Sequence, residues 1–101
     1  MTEIVANRFN NHYRLEVDGH ADEHDTCVMV SVLVQTLLVA LWNNPNVHAV
    51  YPTLEDGHAV IEFLADDVTG EEDMRCILVG MIQLQKDHPE GINITQNIFD
   101  M

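Results

Sequence analysis

Gly19-His20-Ala21-Asp22-Glu23-His24-Asp25-Thr26-Cys27 separates a pair of short alternating strands from a long apolar helix. The order of the whole chain follows from that boundary. Upstream of it, Glu3–Phe9 and His12–Val17 flank Asn10-Asn11, a turn-prone pair. In the second segment Tyr13, Leu15 and Val17 alternate with His12, Arg14 and Glu16, the pattern of a strand with one buried face. Downstream, a helix begins at Cys27 with Thr26 or Asp25 as its cap. It runs to about Trp42, where Asn43-Asn44-Pro45 stops it.

The remaining sequence repeats this grammar. Val47–Leu54 and Ala59–Ala65 flank Glu55-Asp56-Gly57-His58, and the Asp-Gly pair marks a hairpin. Pro52 confines the first of these strands to a sheet edge or a bulge, because proline cannot donate to a ladder. Thr69 caps a second helix whose first turn holds Glu71, Glu72 and Asp73, where carboxylates suit the helix dipole. Met74, Ile77, Leu78, Met81 and Ile82 recur at helical spacing as one apolar stripe, and Cys76 reads as core. His88-Pro89 ends the helix, and Ile92, Ile94 and Ile98 share one face of a last strand. The predicted fold is α+β in the order ββαββαβ: two helices on one face of a mainly antiparallel sheet, in a single domain over residues 1–101.

Charge narrows the partners. Seventeen acidic residues against four basic ones give a net charge of −13. Such a surface repels phosphate backbones and anionic lipid and attracts a basic peptide or protein, so neither nucleic acid nor a membrane is an expected partner. The longest apolar run, Val28 to Trp42, is interrupted by Ser31, Gln35 and Thr36 and reads as a buried helix, not a membrane span. Met1–Val5 has neither the basic nor the apolar region of a secretory leader. Two cysteines, Cys27 and Cys76, do not make a disulfide framework and fit reduced thiols in the cytoplasm. The first helix is apolar nearly all round, with Val28, Val30, Val32, Val34 and Val39 on different sides. A domain this small has little material to cover it twice, so a homodimer through or beside this helix is expected.

The chemistry concentrates at the same boundary. A cysteine in the first turn of a helix meets unpaired backbone N–H groups and the positive end of the dipole, which favour the negatively charged thiolate nucleophile. A histidine within reach, such as His20, would complete a Cys/His pair for acyl transfer. Each residue also has a plainer role: Cys27 as a small buried hydrophobe, His20 as a backbone partner, Asp25 as a helix cap. His12, His48, His58 and His88 are scattered and read as solvated or turn residues. An alternative chemistry is a metal site at His20, His24 and Cys27, a mixture of ligands suited to zinc, although no second cluster completes a structural tetrahedron.

Val17-Asp18-Gly19-His20-Ala21, a loop with Asp25 ahead of Cys27, Ser31 four residues on and an apolar helix together resemble the ribosomal-processing cysteine protease family (Prp, YsxB-like). The resemblance implies a homodimeric endopeptidase, without a cofactor, that removes the N-terminal extension of a ribosomal protein or of a related phage structural precursor. It implies Cys27 as nucleophile, His20 as general base and Asp25 as the acidic residue before the cysteine. By the same resemblance Gly19, Ala21 and Ser31 fall to substrate contact. The chain departs from the family in its loop, where only six residues separate His20 from Cys27 and none is glycine. It also places Val28 and Met29 where the family carries small residues. A homodimer that keeps the fold and binds a basic peptide without cleaving it is the alternative these departures support.

Overall fold

The alternation at the N-terminus builds a hairpin. In the computed structural model, which describes residues 1–19, 24–66 and 68–99, β1 (Thr2–Phe9) pairs antiparallel with β2 (His12–Asp18). Asn10 turns the chain in the left-handed backbone region at φ 56°, which asparagine tolerates better than most residues. α1 (His24–Trp42) follows, then the hairpin of β3 (Val47–Glu55) and β4 (His58–Ala65), α2 (Val68–Asp87) and β5 (Ile92–Gln96). The strand order is β3-β4-β2-β1-β5, antiparallel throughout except for the parallel β1–β5 pair. The ββαββαβ order and the mainly antiparallel sheet are as the sequence indicates.

One face of the sheet carries the core. Ile4, Tyr13, Leu15, Ile61, Phe63 and Ile92 lie buried beneath Leu37 and Leu41 of α1 and Met74, Leu78 and Met81 of α2. Tyr13 and Phe63, cross-strand partners, stack their rings with centroids 4.8 Å apart. Gly80 lets the helices approach: a Cβ there would lie 3.2 Å from Leu33. The other face is solvated and charged. On it Arg14 reaches Glu16 and Glu62, each at 3.2 Å. The hydrogen bond to Glu16, with the Glu16 and Glu62 charges, raises the Arg14 pKa above its ordinary value, although burial opposes this.

Four details differ from the sequence reading. α1 begins at His24, so Asp25 and Thr26 lie inside it and Cys27 is its fourth residue, not its first. Residues that favour a cap also fit a first turn. Thr69 is likewise inside α2. Its hydroxyl donates to Asn44 Oδ1 at 3.2 Å and accepts from Asn44 Nδ2 at 3.1 Å, tying α2 to the turn after α1. Cys76 is exposed, because it lies off the stripe that Met74, Ile77, Leu78 and Met81 turn to the sheet. Ile98 is buried but lies beyond β5, in a turn where Gln96 Oε1 accepts the N–H groups of Ile98 and Phe99.

Pro52 has its expected place. β3 is an edge strand, with a register shift between Val47 and Ala49.

Candidate active site

β2 ends at Asp18, and Gly19 turns the chain away at φ 92°, a conformation that favours glycine. Space demands glycine there as well, since a Cβ would lie 2.5 Å from the Met1 carbonyl oxygen. The Gly19 N–H donates to the Gly57 carbonyl at 2.8 Å, so the end of β2 is fastened to the tip of the β3–β4 hairpin. Gly57 itself turns at φ 74°. The motif glycine therefore joins the end of β2 to the hairpin beside it.

Between α1 and that hairpin lies an open groove of about 590 Å³. Cys27, Ser31 and Gln35, one helical turn apart, form its helical wall, with Val28 and Val32 beside them. Leu54, Glu55, Asp56, Gly57 and His58 form the wall opposite, and Val17, Gly19, Val34 and Ala59 complete the lining. Cys27 is half-buried and outside any disulfide. The arrangement offers a thiol at the side of a channel with apolar walls and carboxylates at one end. An open groove of this kind, with apolar walls and carboxylates at its hairpin end, can take an extended peptide.

The sequence-derived residues fare unevenly. Cys27, Gly19 and Ser31 are brought together in the groove. His20 and Ala21 lie outside the described residues, and for Asp25 the description extends only to its backbone within α1. The metal alternative depends on His20 and so also falls outside them. Among the described residues no group of three or more His, Cys, Asp or Glu side chains could hold a metal ion. His58 pairs across strands with Asp18 at 3.5 Å and approaches Glu16 at 3.8 Å. Leu54, Glu55, Asp56 and Gln35 were not singled out from the sequence. They reach the groove because β4 pairs with β2, which brings the hairpin tip to the start of α1. Asp56-Gly57 signals a turn in sequence but not what the turn stands beside.

Comparison with solved structures settles the fold. The ribosomal processing protease Prp from Staphylococcus aureus, in complex with a covalently linked product peptide, superposes with a TM-score of 0.76 at 16% identity, covering 96% of this chain and 100% of that one. This is the Prp fold. The same Staphylococcus aureus protease in complex with a substrate peptide gives a TM-score of 0.73 at 17% identity, covering 96% of this chain and 100% of that one. SMU.848 from Streptococcus mutans gives 0.69 at 19% identity, over 95% of this chain and 93% of that one. No family model matches the sequence, and no curated protein matches it. The resemblance drawn from Gly19-His20-Ala21, Cys27 and Ser31 thus holds at the level of the fold, over 96% of this chain. No helix among the described residues is long and apolar enough to cross a membrane.

Proposed function

We propose that this protein is a Prp-like cysteine endopeptidase acting on a basic precursor protein, ribosomal or phage structural, in the cytoplasm. The observation that carries the proposal is the position of Cys27, half-buried in the wall of an open groove with Ser31 one turn beyond it. Cys27 thiolate attacks a peptide carbonyl, and backbone N–H groups of the first turn of α1 stabilise the oxyanion. His20 takes the thiol proton and delivers it to the leaving amine, which leaves a thioester on Cys27. Water, deprotonated by His20, then releases the acid product and restores the thiol. Asp25 orients the site, and Gly19, Ala21 and Ser31 contact the substrate backbone. No cofactor enters these steps. The proposed active form is a homodimer of single-domain chains joined through or beside α1, where Met29 and Val39 are exposed outside the groove lining. Cleavage of a precursor peptide by the wild type and by Cys27→Ala tests the proposal.

A specific observation favours the second reading, a homodimer that binds a basic peptide without cleaving it. Because α1 starts at His24, Cys27 stands at the end of the first turn. The dipole and unpaired N–H groups act most strongly on residues before it. Binding without cleavage is the outcome that would establish this reading.

A further inference from the structure

The sheet has a free edge beside the groove. β3 is the outer strand, and from Tyr51 to Glu55 every residue is exposed. Its pairing with β4 places Pro52 and Leu54 on the helix side, the side of Ile61 and Ala59. α1 packs on β3, and a four-residue turn, residues 43–46, joins its Trp42 end to the start of β3, while Cys27 lines the groove beside Leu54 near the end of β3. Trp42 follows Ser31 and Gln35 at helical spacing on the flank that faces β3. It is 62% exposed, and Leu54 is 51% exposed. An apolar strip therefore runs from Trp42 past Pro52 to Leu54 along an unpaired edge, and at Leu54 it becomes the wall of the groove.

We infer that this edge of β3 docks a basic peptide as an additional strand, extending the Cys27 groove along the length of the sheet. The inference rests on the groove being a peptide site, as proposed above. Main-chain pairing to a sheet edge supplies affinity, and alternate side chains of the added strand would cover Trp42 and Leu54. Pro52 removes one donor from the edge but leaves its carbonyl, which limits indiscriminate pairing. Charge selects the occupant. Glu55 and Asp56 stand at the groove end of the strip on a chain of net charge −13, so a basic segment is favoured over a second copy of this acidic chain. The other edge, β5, is five residues long and its chain turns back at Gln96.

The experiment uses the Cys27→Ala protein, so that binding is read without turnover. An acetylated, amidated decapeptide alternating lysine and valine is titrated at physiological salt, with nitrogen-detected amide exchange followed by NMR. The account expects saturable binding with slowed exchange at β3 amides. A lysine–proline decapeptide of equal charge, which cannot form a strand, binds at least about tenfold more weakly, as does a glutamate–valine decapeptide. Trp42→Lys with Leu54→Lys weakens the lysine–valine peptide by a similar factor, and Val79→Lys, an exposed control on α2, does so much less. Equal binding of the lysine–proline peptide, absence of binding, or protection confined to other strands overturns the inference. Strand addition without any cleavage of a precursor by the wild type sustains the docking edge while removing the endopeptidase reading.

Discussion

Gly19 and Gly57 are joined by a backbone hydrogen bond of 2.8 Å that fastens the segment ahead of α1 to the hairpin forming the far wall of the groove. Both glycines hold positive φ angles, so neither end of the bond is easily replaced. The end of β2, which lines the groove with Val17 and Gly19, is thereby fixed to the hairpin at this point as well as along their ladder.

Gly19→Ala is expected to lower stability by roughly 1–3 kcal/mol, combining the strained φ with a contact against the Met1 carbonyl. Urea denaturation checks this. A smaller change would mean that the N-terminal strand shifts without loss and that the glycine is not the fastening point. Peptide binding should weaken with stability, since one wall of the groove moves.

Thiol labelling separates accessibility from catalysis. Cys76 is exposed on α2 whereas Cys27 is half-buried, so accessibility alone would make Cys76 the faster to alkylate. The catalytic account expects the reverse near neutral pH, with Cys27 labelled first by iodoacetamide and the order lost in denaturant. Peptide mapping by mass spectrometry reads the order directly.

The predicted layout was legible because the chain alternates cleanly where it is half-buried. Tyr13, Leu15 and Val17 mark β2, Asp56-Gly57 marks the hairpin and Pro52 marks the edge. Helix starts were less legible. Asp25, Thr26 and Thr69 suit both a cap and a first turn, and the backbone places all three within helices. Cys76 was misplaced because its neighbours Met74 and Ile77 are core while it is one step off their stripe. Of the candidate site, Cys27, Gly19 and Ser31 could be read locally. Leu54, Glu55 and Asp56 could not, since their nearness to Cys27 depends on the pairing of β2 with β4.

Assembly is tested on the outer face of α1. Leu38, on the same helix, is only 5% exposed, so Leu38→Glu would bury a carboxylate and unfold the chain whatever its oligomeric state. Val39 is 53% exposed and outside the groove lining, and makes the cleaner probe. Light scattering at micromolar concentration is expected to show a dimer for the wild type and a folded monomer for Val39→Glu. A wild-type monomer would remove the dimer from the account.

With seventeen carboxylates against Arg8, Arg14, Arg75 and Lys86, no binding of DNA or RNA is expected at physiological salt. Moreover, among the described residues Arg8 bridges to Glu71 at 3.0 Å, Arg14 is held by Glu16 and Glu62, and Arg75 lies over the Phe99 ring, so these cations are already engaged. A gel shift at sub-micromolar protein that survives such salt would contradict this.

The central claim is that Cys27 and His20 cleave a peptide in the groove. A synthetic peptide spanning the N-terminal extension of a large-subunit ribosomal protein precursor is incubated with the wild type, Cys27→Ala, His20→Ala and the double variant, and products are read by mass spectrometry. Loss of one member of a nucleophile–base unit removes nearly all of its contribution, so the account expects one internal bond cut by the wild type, no measurable cut by either single variant, and a double variant no worse than they are. Asp25→Ala is expected to slow the cut less. Peptide left intact by the folded wild type, or cut as fast by Cys27→Ala, would contradict the account.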